Sequence, residues 1–286
     1  FARAAGSNLR ILADNIWDYS HDDIPEAWRL IGEDPRDDVR APQFAQLVRA
    51  FMPDVLDLQE YSLHMHQQFY PLIRRYGYRI AYEGEEPWNN TPIFYNPETV
   101  ELVDVNYVLY APSCWSNIGS KSYTSAVFRK KDTGRLFAVV NTHLWWKSEA
   151  AQPGSTYARA AQVRLMMAEA EVLKNKYGCT IFVTGDMNAY EDSLPIRQFI
   201  EGGYTPCYKA ATDATDNGNG HHICGPKDGY SRTSRRRSPD REKGAIDHCF
   251  IYNAQEGVAV KVFDCITARI TVKLTDHYPY LIDAAL

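Results

Sequence analysis

The feature that most constrains the fold of this chain is a series of short apolar runs, each leading into a chemically active polar residue. Residues 181–183 are Ile-Phe-Val, and they lead into Gly-Asp-Met-Asn at 185–188. Residues 136–140 are also apolar, and they lead into Asn-Thr-His at 141–143. Short apolar runs of this kind predict buried β-strands. Side chains that follow the ends of neighbouring strands can meet at one edge of a sheet, so the sequence predicts a polar site along such an edge.

Helical periodicity is found in a few segments between these strands. Apolar residues recur at helical spacing in residues 42–50, 64–76, 156–177 and 194–200. We expect Pro42 to begin the first of these helices, Gly77 to stop the second and Gly178 to end the third.

Strands are predicted at residues 9–16, 55–58, 78–82, 92–95, 100–110, 124–129, 136–142, 181–186, 245–252, 258–266 and 279–282. A hairpin turn is predicted at residues 131–134, and a long polar stretch at residues 212–244. No linker or internal repeat divides the chain. We therefore predict one domain over residues 1–286, of the α+β class, with two packed mixed β-sheets flanked by helices.

The composition is that of an ordinary globular protein, with 45% hydrophobic and 23% charged residues. No run of about 18 apolar residues occurs, so no integral membrane segment is predicted. The net charge of −5 and the pI of about 5.9 disfavour non-specific nucleic-acid binding, which usually needs a basic face. Nucleic acid stays open as a partner because one basic cluster is present, at Arg232, Arg235, Arg236, Arg237, Arg241 and Lys243.

The chain starts with Phe1 rather than Met and shows no signal peptide, so cytoplasmic and exported locations both stay open. Cysteines in apolar strand-like runs are predicted to be buried free thiols, and these are Cys179, Cys249 and Cys265. Cys207 and Cys224 flank a polar loop and would be candidates for a disulfide in an exported protein. A zinc site at residues 221–224 is not predicted, because a second pair of ligands is lacking.

Eight polar side chains stand at or just beyond predicted strand ends: Asn15, Glu60, His143, Asp186, Asn188, Asp247, Asp276 and His277. Mg²⁺ prefers oxygen ligands and usually takes one or two carboxylates, which Glu60 and Asp276 can supply. His277 is a candidate general base, with Asp247 to orient its ring. Each residue alone could instead be a solvated or turn residue, but together they predict phosphate chemistry.

Six short motifs occur in a fixed order: Asn-Ile-Trp at 15–17, Leu-Gln-Glu at 58–60, Asn-Thr-His-Leu at 141–144, Thr-Gly-Asp-Met-Asn at 184–188, Ile-Asp-His at 246–248 and Thr-Asp-His-Tyr-Pro at 275–279. This series resembles the endonuclease/exonuclease/phosphatase superfamily, which shares the pancreatic deoxyribonuclease fold. The resemblance covers residues 9–282 and implies a four-layer sandwich of helix, sheet, sheet and helix. One small departure is Thr275, where Ser is more usual.

The resemblance also implies the roles of the site residues. Glu60 would bind a catalytic Mg²⁺, for which Mn²⁺ is an alternative, with Asn15 and Asp276 nearby. The implied catalytic residues are His143, Asp186, Asn188, Asp247 and His277. Among them, Asp186 and Asn188 would position water and phosphate, while Asp247 and His277 would form the acid–base pair.

Two departures concern the surroundings of the first histidine. In the nuclease branch a carboxylate that supports this histidine should fall near Asn89 and Asn90, where this chain has amides. The charge state of His143 therefore stays open. Trp145 and Trp146 directly follow the Asn-Thr-His-Leu motif and could form an aromatic wall beside the cleft, although we expect one of them to pack inward. Trp146 and Asn90 are the predicted substrate contacts.

We expect a Mg²⁺-dependent hydrolase of a phosphate ester whose substrate is small or resembles a headgroup rather than duplex DNA. The negative net charge and the two neighbouring tryptophans motivate that choice. The first alternative is an endonuclease or exonuclease acting on DNA or RNA. The second is a non-enzymatic binding module of the same fold, which the retained site residues disfavour. Oligomeric state, the choice between monoester and diester, and the number of metal ions stay open.

Overall fold

The computed structural model describes residues 1–19, 29, 32, 34–84, 88–110, 121–214, 245–266, 271 and 274–286. Several sequence features lie outside these residues, namely the basic cluster, residues 221–224 with Cys224, and Cys114. In the described part of the chain, no helix has both the length and the apolar character needed to cross a membrane.

The described strands are, in chain order, β1 (Leu9–Asn15), β2 (Val55–Gln59), β3 (Arg79–Ile80), β4 (Ile93–Tyr95), β5 (Val100–Leu109), β6 (Ser122–Lys130), β7 (Leu136–His143), β8 (Thr180–Asp186), β9 (Thr205–Pro206), β10 (Asp213–Ala214), β11 (Asp247–Tyr252), β12 (Ala259–Cys265) and β13 (Tyr280–Ala285). The described helices are α1 (Asp37–Phe51), α2 (Leu63–Arg74), α3 (Ser155–Tyr177), α4 (Leu194–Glu201) and the single turn α5 (Cys207–Ala210).

These strands form two mixed sheets, as the sequence predicted. The first has the order β10-β12-β13-β1-β2-β4-β3, and the second has the order β5-β6-β7-β8-β11-β9. Parallel pairing joins β1 to β2, β10 to β12, and β7 to β8, whereas the other pairs are antiparallel.

Three hydrophobic cores separate four layers. The central core lies between the two sheets and contains residues such as Ile11 and Phe182 from their facing strands. A second core packs α1 and α2 on the first sheet, and a third packs α3 and α4 on the second sheet. The α+β sandwich predicted from the sequence is thus confirmed.

Helix α1 begins at Asp37, and the prediction that Pro42 begins it is wrong. Pro42 and Asp38 both lie on the exposed side of the helix, where water can bond the Asp38 carbonyl that proline leaves without its helical donor. Two acidic residues in the first turn also favour an earlier start, since they complement the helix dipole.

Arg40 on α1 fixes two distant segments of the chain. Its guanidinium is fully buried and pairs with Asp37 at 2.6 Å. It also donates to the carbonyls of Ile16 at 2.5 Å, Trp17 at 2.9 Å and Leu274 at 2.6 Å. One buried side chain therefore joins the loop that follows β1 to the segment that precedes β13.

The buried cysteines show one difference from the sequence prediction. Cys179, Cys249 and Cys265 are buried free thiols, as expected. Cys207 is also a buried free thiol, and its Sγ lies 3.0 Å from Cys249 Sγ. The proposed partner Cys224 lies outside the described residues.

Strand register brings the predicted polar residues to one edge. In the parallel pair of β7 and β8, His143 is opposite Asp186. In the antiparallel pair of β8 and β11, Asp247 is opposite Asp186 as well. Asn15 at the end of β1 is opposite Gln59, so Glu60 follows directly beyond it.

Gly185 allows the close approach of β7 and β8 that this register needs. Its φ is +143°, and an added Cβ would lie only 2.0 Å from the carbonyl oxygen of Thr142. Its N–H donates to the Tyr280 hydroxyl at 2.9 Å. A side chain at this position would therefore force apart the two strands that carry His143 and Asp186.

We predict that Gly185→Ala destabilises the protein far more than Gly178→Ala. Gly178 is also in the left-handed region, with φ +60°, but an added Cβ there meets nothing within 4 Å. The Gly178 variant should lose about 1 to 2 kcal/mol from backbone strain alone, whereas the Gly185 variant adds a clash with backbone. Chemical denaturation of both variants measures the difference, and equal losses would contradict the packing argument.

Asp57 is a buried acid between the two sheets. One carboxylate oxygen accepts from Thr184 Oγ1 at 2.8 Å, while the other has no hydrogen-bond partner among the described residues. Burial raises the pKa of Asp57 from 3.8 to about 7, and the Thr184 hydrogen bond offsets only part of this effect. The folded protein therefore holds a proton that the unfolded chain would release.

We predict that Asp57→Asn flattens the pH dependence of stability. Because folding raises the pKa of Asp57, this residue makes a contribution to the free energy of unfolding that is fully present below pH 3.8. The contribution is lost as the pH rises through about 7. In Asp57→Asn, the free energy of unfolding should therefore change less with pH between 3.8 and about 7 than it does in the wild type. Measurements of the free energy of unfolding across this pH range test the prediction. Asp132→Asn, in the exposed turn between β6 and β7, is the control and should keep the slope. A wild-type slope in the Asp57 variant would refute the prediction.

Candidate active site

Asp186 is at the centre of the polar cluster at this edge. Its Oδ2 lies 3.3 Å from His143 Nε2 and 3.8 Å from His277 Nε2. The other nitrogen of His277, Nδ1, is 2.7 Å from Asp247 Oδ2. All four side chains are buried. The structure thus brings together the predicted residues of β7, β8, β11 and the segment before β13.

Asn15 connects the first sheet to this centre. Its Nδ2 donates to Glu60 Oε1 at 3.1 Å and to Asp186 Oδ2 at 2.9 Å. Its Oδ1 accepts from the N–H of Trp17 at 3.0 Å, which fixes the orientation of the amide. In this orientation Asn15 holds the two carboxylates together and does not present its oxygen to them.

Glu60 and Asn188 both have backbone conformations that side chains rarely adopt. Their φ angles are +54° and +47°, in the left-handed region, and each lies just beyond the end of a strand. The Asp18 N–H donates a hydrogen bond to Glu60 Oε2 at 3.0 Å, and the Asn188 N–H donates to Asp186 Oδ1 at 2.9 Å. Such strain commonly marks functional positions.

The carboxylates of Glu60 and Asp186 are suited to a divalent cation. The ligand atoms of Glu60, His143 and Asp186 lie within 4.8 Å of one another. Burial alone would raise the pKa of both carboxyl groups, but His143 when it is protonated, together with Lys121 and His277, holds the pKa of each below its ordinary value. Two ionised carboxylates, one of them partly exposed, form the oxygen-rich set that hard cations prefer.

Asp276 is buried beside these residues but belongs to neither group of potential metal ligands found in the described chain. The second such group is Asp186, Asp247 and His277. The charge of Asp276 instead raises the pKa of His277.

The environment of His277 favours the protonated form of its ring. Burial lowers its pKa, but Asp247, Asp186 and Asp276 outweigh burial and raise the pKa well above 6.5. Its backbone N–H donates to Thr275 Oγ1 at 3.3 Å, and that hydroxyl donates to the Asn15 carbonyl. Thr275 therefore supplies the hydroxyl that Ser would supply, and the sequence departure leaves this contact intact.

His143 has a different environment, dominated by hydrogen-bond donors. Lys121 Nζ lies 2.7 Å from its Nε2 and 3.0 Å from its Nδ1, and Asn188 Nδ2 lies 3.1 Å from Nε2. Burial and the charge of Lys121 lower the pKa of His143, although Asp186 and Glu60 oppose this effect. The ring is therefore favoured in its neutral form.

Lys121 is the site residue that sequence reasoning missed. It directly precedes β6, and Ser122 is opposite His143 in the antiparallel pair of β6 and β7. Counting outward from the predicted turn at residues 131–134 places Lys121 beside His143, so the hairpin contained this signal. Burial lowers the pKa of Lys121 to about 8, against the charges of Glu60, Asp186 and Asp18.

The amides near the first histidine have mainly structural contacts. Asn89 Nδ2 donates to Thr124 Oγ1 at 3.1 Å and to the Tyr82 carbonyl at 3.0 Å. Asn90 Nδ2 donates to the Trp88 carbonyl at 3.3 Å. No hydrogen bond or ion pair described for these residues joins Asn90 to the acidic cluster, so its predicted role in substrate binding stays a prediction.

One of the two tryptophans packs inward, as expected. Trp145 is 2% exposed and its Nε1 donates to Ser155 Oγ at 3.2 Å, whereas Trp146 is 59% exposed. Lys147 Nζ lies 5.8 Å and 5.6 Å from the centres of the two rings. A wall of two exposed indoles is therefore not formed, and Trp146 alone is available to a ligand.

Comparisons with known proteins identify the family and the fold of this chain. The sequence matches the Endonuclease/Exonuclease/phosphatase family over residues 28–277. No curated protein matches the sequence. Among solved structures, a mannosyl-6-phosphatase of Bacteroides thetaiotaomicron VPI-5482 is 18% identical, with a TM-score of 0.72 over 97% of this chain and 100% of that chain.

Two further structures have the same fold. The human Nocturnin catalytic domain with bound sulfate anion is 17% identical, with a TM-score of 0.68 over 99% of this chain and 96% of that chain. D. rerio TDP2 complexed with single strand DNA product is 15% identical, with a TM-score of 0.63 over 96% of this chain and 98% of that chain. Identities this low show a shared fold, whereas the family match spans most of the sequence. The chain therefore belongs to the Endonuclease/Exonuclease/phosphatase family, a family of metal-dependent phosphoric ester hydrolases.

Proposed function

We propose that the protein is a Mg²⁺-dependent phosphoesterase that hydrolyses a phosphate ester by in-line attack of water. The observation that carries this proposal is the arrangement around Asp186, which lies between His143 and the His277–Asp247 pair. Carboxylates that can hold a cation are thus next to a histidine that can take a proton.

Glu60 and Asp186 are the residues we propose as holders of the cation, with Asp276 nearby and Asn15 as the donor that positions both carboxylates. Mn²⁺ is an alternative to Mg²⁺, since both accept oxygen ligands. A bound cation would supply positive charge that polarises the phosphoryl group.

His277 is the proposed general base. Its Nε2 faces Asp186 at 3.8 Å, and its Nδ1 bonds Asp247 at 2.7 Å, so Nε2 is the nitrogen left for the attacking water. Asp247 orients the ring and stabilises the imidazolium that forms when the water loses its proton. Asn188 is bonded to Asp186 through its backbone N–H, and its side-chain amide, 3.1 Å from His143 Nε2, is the group we propose to donate to a phosphoryl oxygen when substrate binds.

We propose one catalytic domain over residues 1–286. The support is that both sheets contribute to the cluster: Asn15 and Glu60 follow strands of the first sheet, while His143, Asp186 and Asp247 end or begin strands of the second. A chain divided between the sheets would also divide the site.

We propose a small or headgroup-like phosphate as the substrate rather than duplex DNA. The net charge of −5 disfavours a polyanion, and exposed Trp146, three residues beyond His143, can stack on a sugar or a headgroup. A phosphatase of a sugar phosphate is among the structures with the same fold. Because a complex of TDP2 with DNA is also among them, nucleic acid is the alternative.

We predict that the purified protein with Mg²⁺ hydrolyses sugar phosphates or phosphocholine esters and leaves plasmid DNA intact. Chelation of the metal should abolish turnover, and His277→Ala should lower it by about 10²- to 10⁴-fold. His64→Ala, a change at a half-exposed histidine on α2, is the control and should keep full activity. Nicking of plasmid as the sole activity would instead support a nuclease, and metal binding without turnover would support a binding module.

We predict that activity rises with pH as His277 loses its proton, and that Asp247→Asn moves this rise to lower pH. Removing the carboxylate takes away the largest opposite charge that raises the pKa of His277, so the base form appears at lower pH. The maximal kcat should also fall, because the ring loses its orienting partner. Profiles of kcat against pH at one metal concentration test this, with Asp132→Asn as the control. A profile of the Asp247 variant that is unmoved or shifted to higher pH would refute the assignment.

A further inference from the structure

Lys121 is a buried cation that no anion of the described residues contacts directly, although the charges of Glu60, Asp186 and Asp18 act on it from farther away. The residue is only 5% exposed. Within the described parts of the chain, its Nζ contacts only the two ring nitrogens of His143, and no carboxylate oxygen lies within 4.0 Å. Lys130 provides a contrast, since it is equally buried but pairs with Asp54 at 3.4 Å.

The hydrogen-bonding capacity of this ammonium is largely unused. A lysine ammonium has three N–H donors, and a neutral histidine ring offers one lone pair. At least one donor is therefore left in a region from which most water is excluded. Burial of a charge under these conditions is unfavourable unless an anion completes the site.

The neighbours of Lys121 define where such an anion would lie. Asn188 Nδ2 also faces His143, at 3.1 Å, and donates to the Leu144 carbonyl at 3.1 Å. The carboxylates that we propose for the cation lie around the same ring nitrogen as Lys121, since His143 Nε2 is 2.7 Å from Lys121 Nζ, 3.3 Å from Asp186 and 3.9 Å from Glu60. The ammonium and the two carboxylates thus meet around one nitrogen, so a phosphoryl group bound to a cation on the carboxylates would be within reach of the ammonium.

We propose that Lys121 is a catalytic residue that donates a hydrogen bond to a non-bridging oxygen of the substrate phosphoryl group, an inference that rests on the proposed function. The ammonium supplies positive charge in addition to that of the divalent cation. Lys121 then binds the part of the substrate that every phosphate ester shares, so it contributes to affinity for phosphate rather than to the choice of alcohol.

The stability of a substituted protein separates this role from a structural one. Removing one partner of a buried ion pair usually destabilises a protein, whereas a buried charge that no anion contacts is itself costly, so its removal should not destabilise. Lys121→Met retains the length of the side chain and removes the charge. We expect this variant to unfold at the same temperature as the wild type or higher, and to lose function.

The test is calorimetric titration of inorganic phosphate into the Mg²⁺-loaded protein. Lys121→Met should bind phosphate at least tenfold more weakly than the wild type, while its affinity for Mg²⁺ in a separate titration is not reduced. Lys176→Met is the matched control: this lysine is on α3, is exposed and pairs with Asp104, and its loss should change neither affinity. Lys121→Gln, which keeps donors but no charge, replaces the Met variant if that variant does not fold. Unchanged phosphate affinity in the variant, or no phosphate binding by the wild type, would overturn the proposal.

A double-mutant cycle distinguishes direct contact from an effect through His143. If Lys121 touches phosphate, Lys121→Met should weaken phosphate binding further in a His143→Ala background. If it acts only by orienting His143, the second substitution should have no effect, and Lys121 would be a positioning residue instead. These measurements need no turnover. A wild-type protein that binds phosphate through Lys121 but hydrolyses no ester would refute the proposed function and leave the contact between Lys121 and phosphate standing.

Discussion

The close contact between β7 and β8 at Gly185 is the constraint on which the rest of the site depends. With no side chain there, the two backbones approach closely enough to align His143 with Asp186. Asp247 on β11 is aligned with the same carboxylate from the other side. A shift of β8 by one residue would turn the Asp186 side chain to the opposite face of the sheet. Core packing and the chemistry of the site are therefore fixed by the same strand.

One carboxylate influences two histidines whose other neighbours give them opposite protonation states. His277 lies among Asp247, Asp186 and Asp276, which together raise its pKa despite burial. His143 is closer to Asp186, at 3.3 Å against 3.8 Å for His277, but burial and Lys121 lower its pKa. One ring is thus suited to carry a proton and the other to stay neutral. Divergent environments for similar groups commonly divide acid and base roles in hydrolytic sites.

The layers of the fold and most of the site could be predicted because their signals are local. Strands appear as apolar runs, and the residues beyond them form motifs that can be recognised in order. The start of α1 could not be found this way, since it is stabilised partly by contacts of Arg40 with carbonyls distant in sequence, such as that of Leu274. Lys121 lies in no motif, and its position beside His143 depends on the register of a hairpin. The orientation of Asn15 likewise depends on a tertiary hydrogen bond network rather than on its residue type.

The place of β13 in the first sheet has a consequence for the order of events during synthesis. This strand follows every other described strand in the sequence, yet it lies in the interior of its sheet, between β12 and β1. Until it emerges from the ribosome, β1 exposes an unpaired edge, and the Thr275 hydroxyl that holds the Asn15 carbonyl is missing. The proposed metal-binding and proton-accepting halves are therefore joined only after β13 has emerged. A nascent chain would hold the carboxylates without the base, so activity would begin in a single late step.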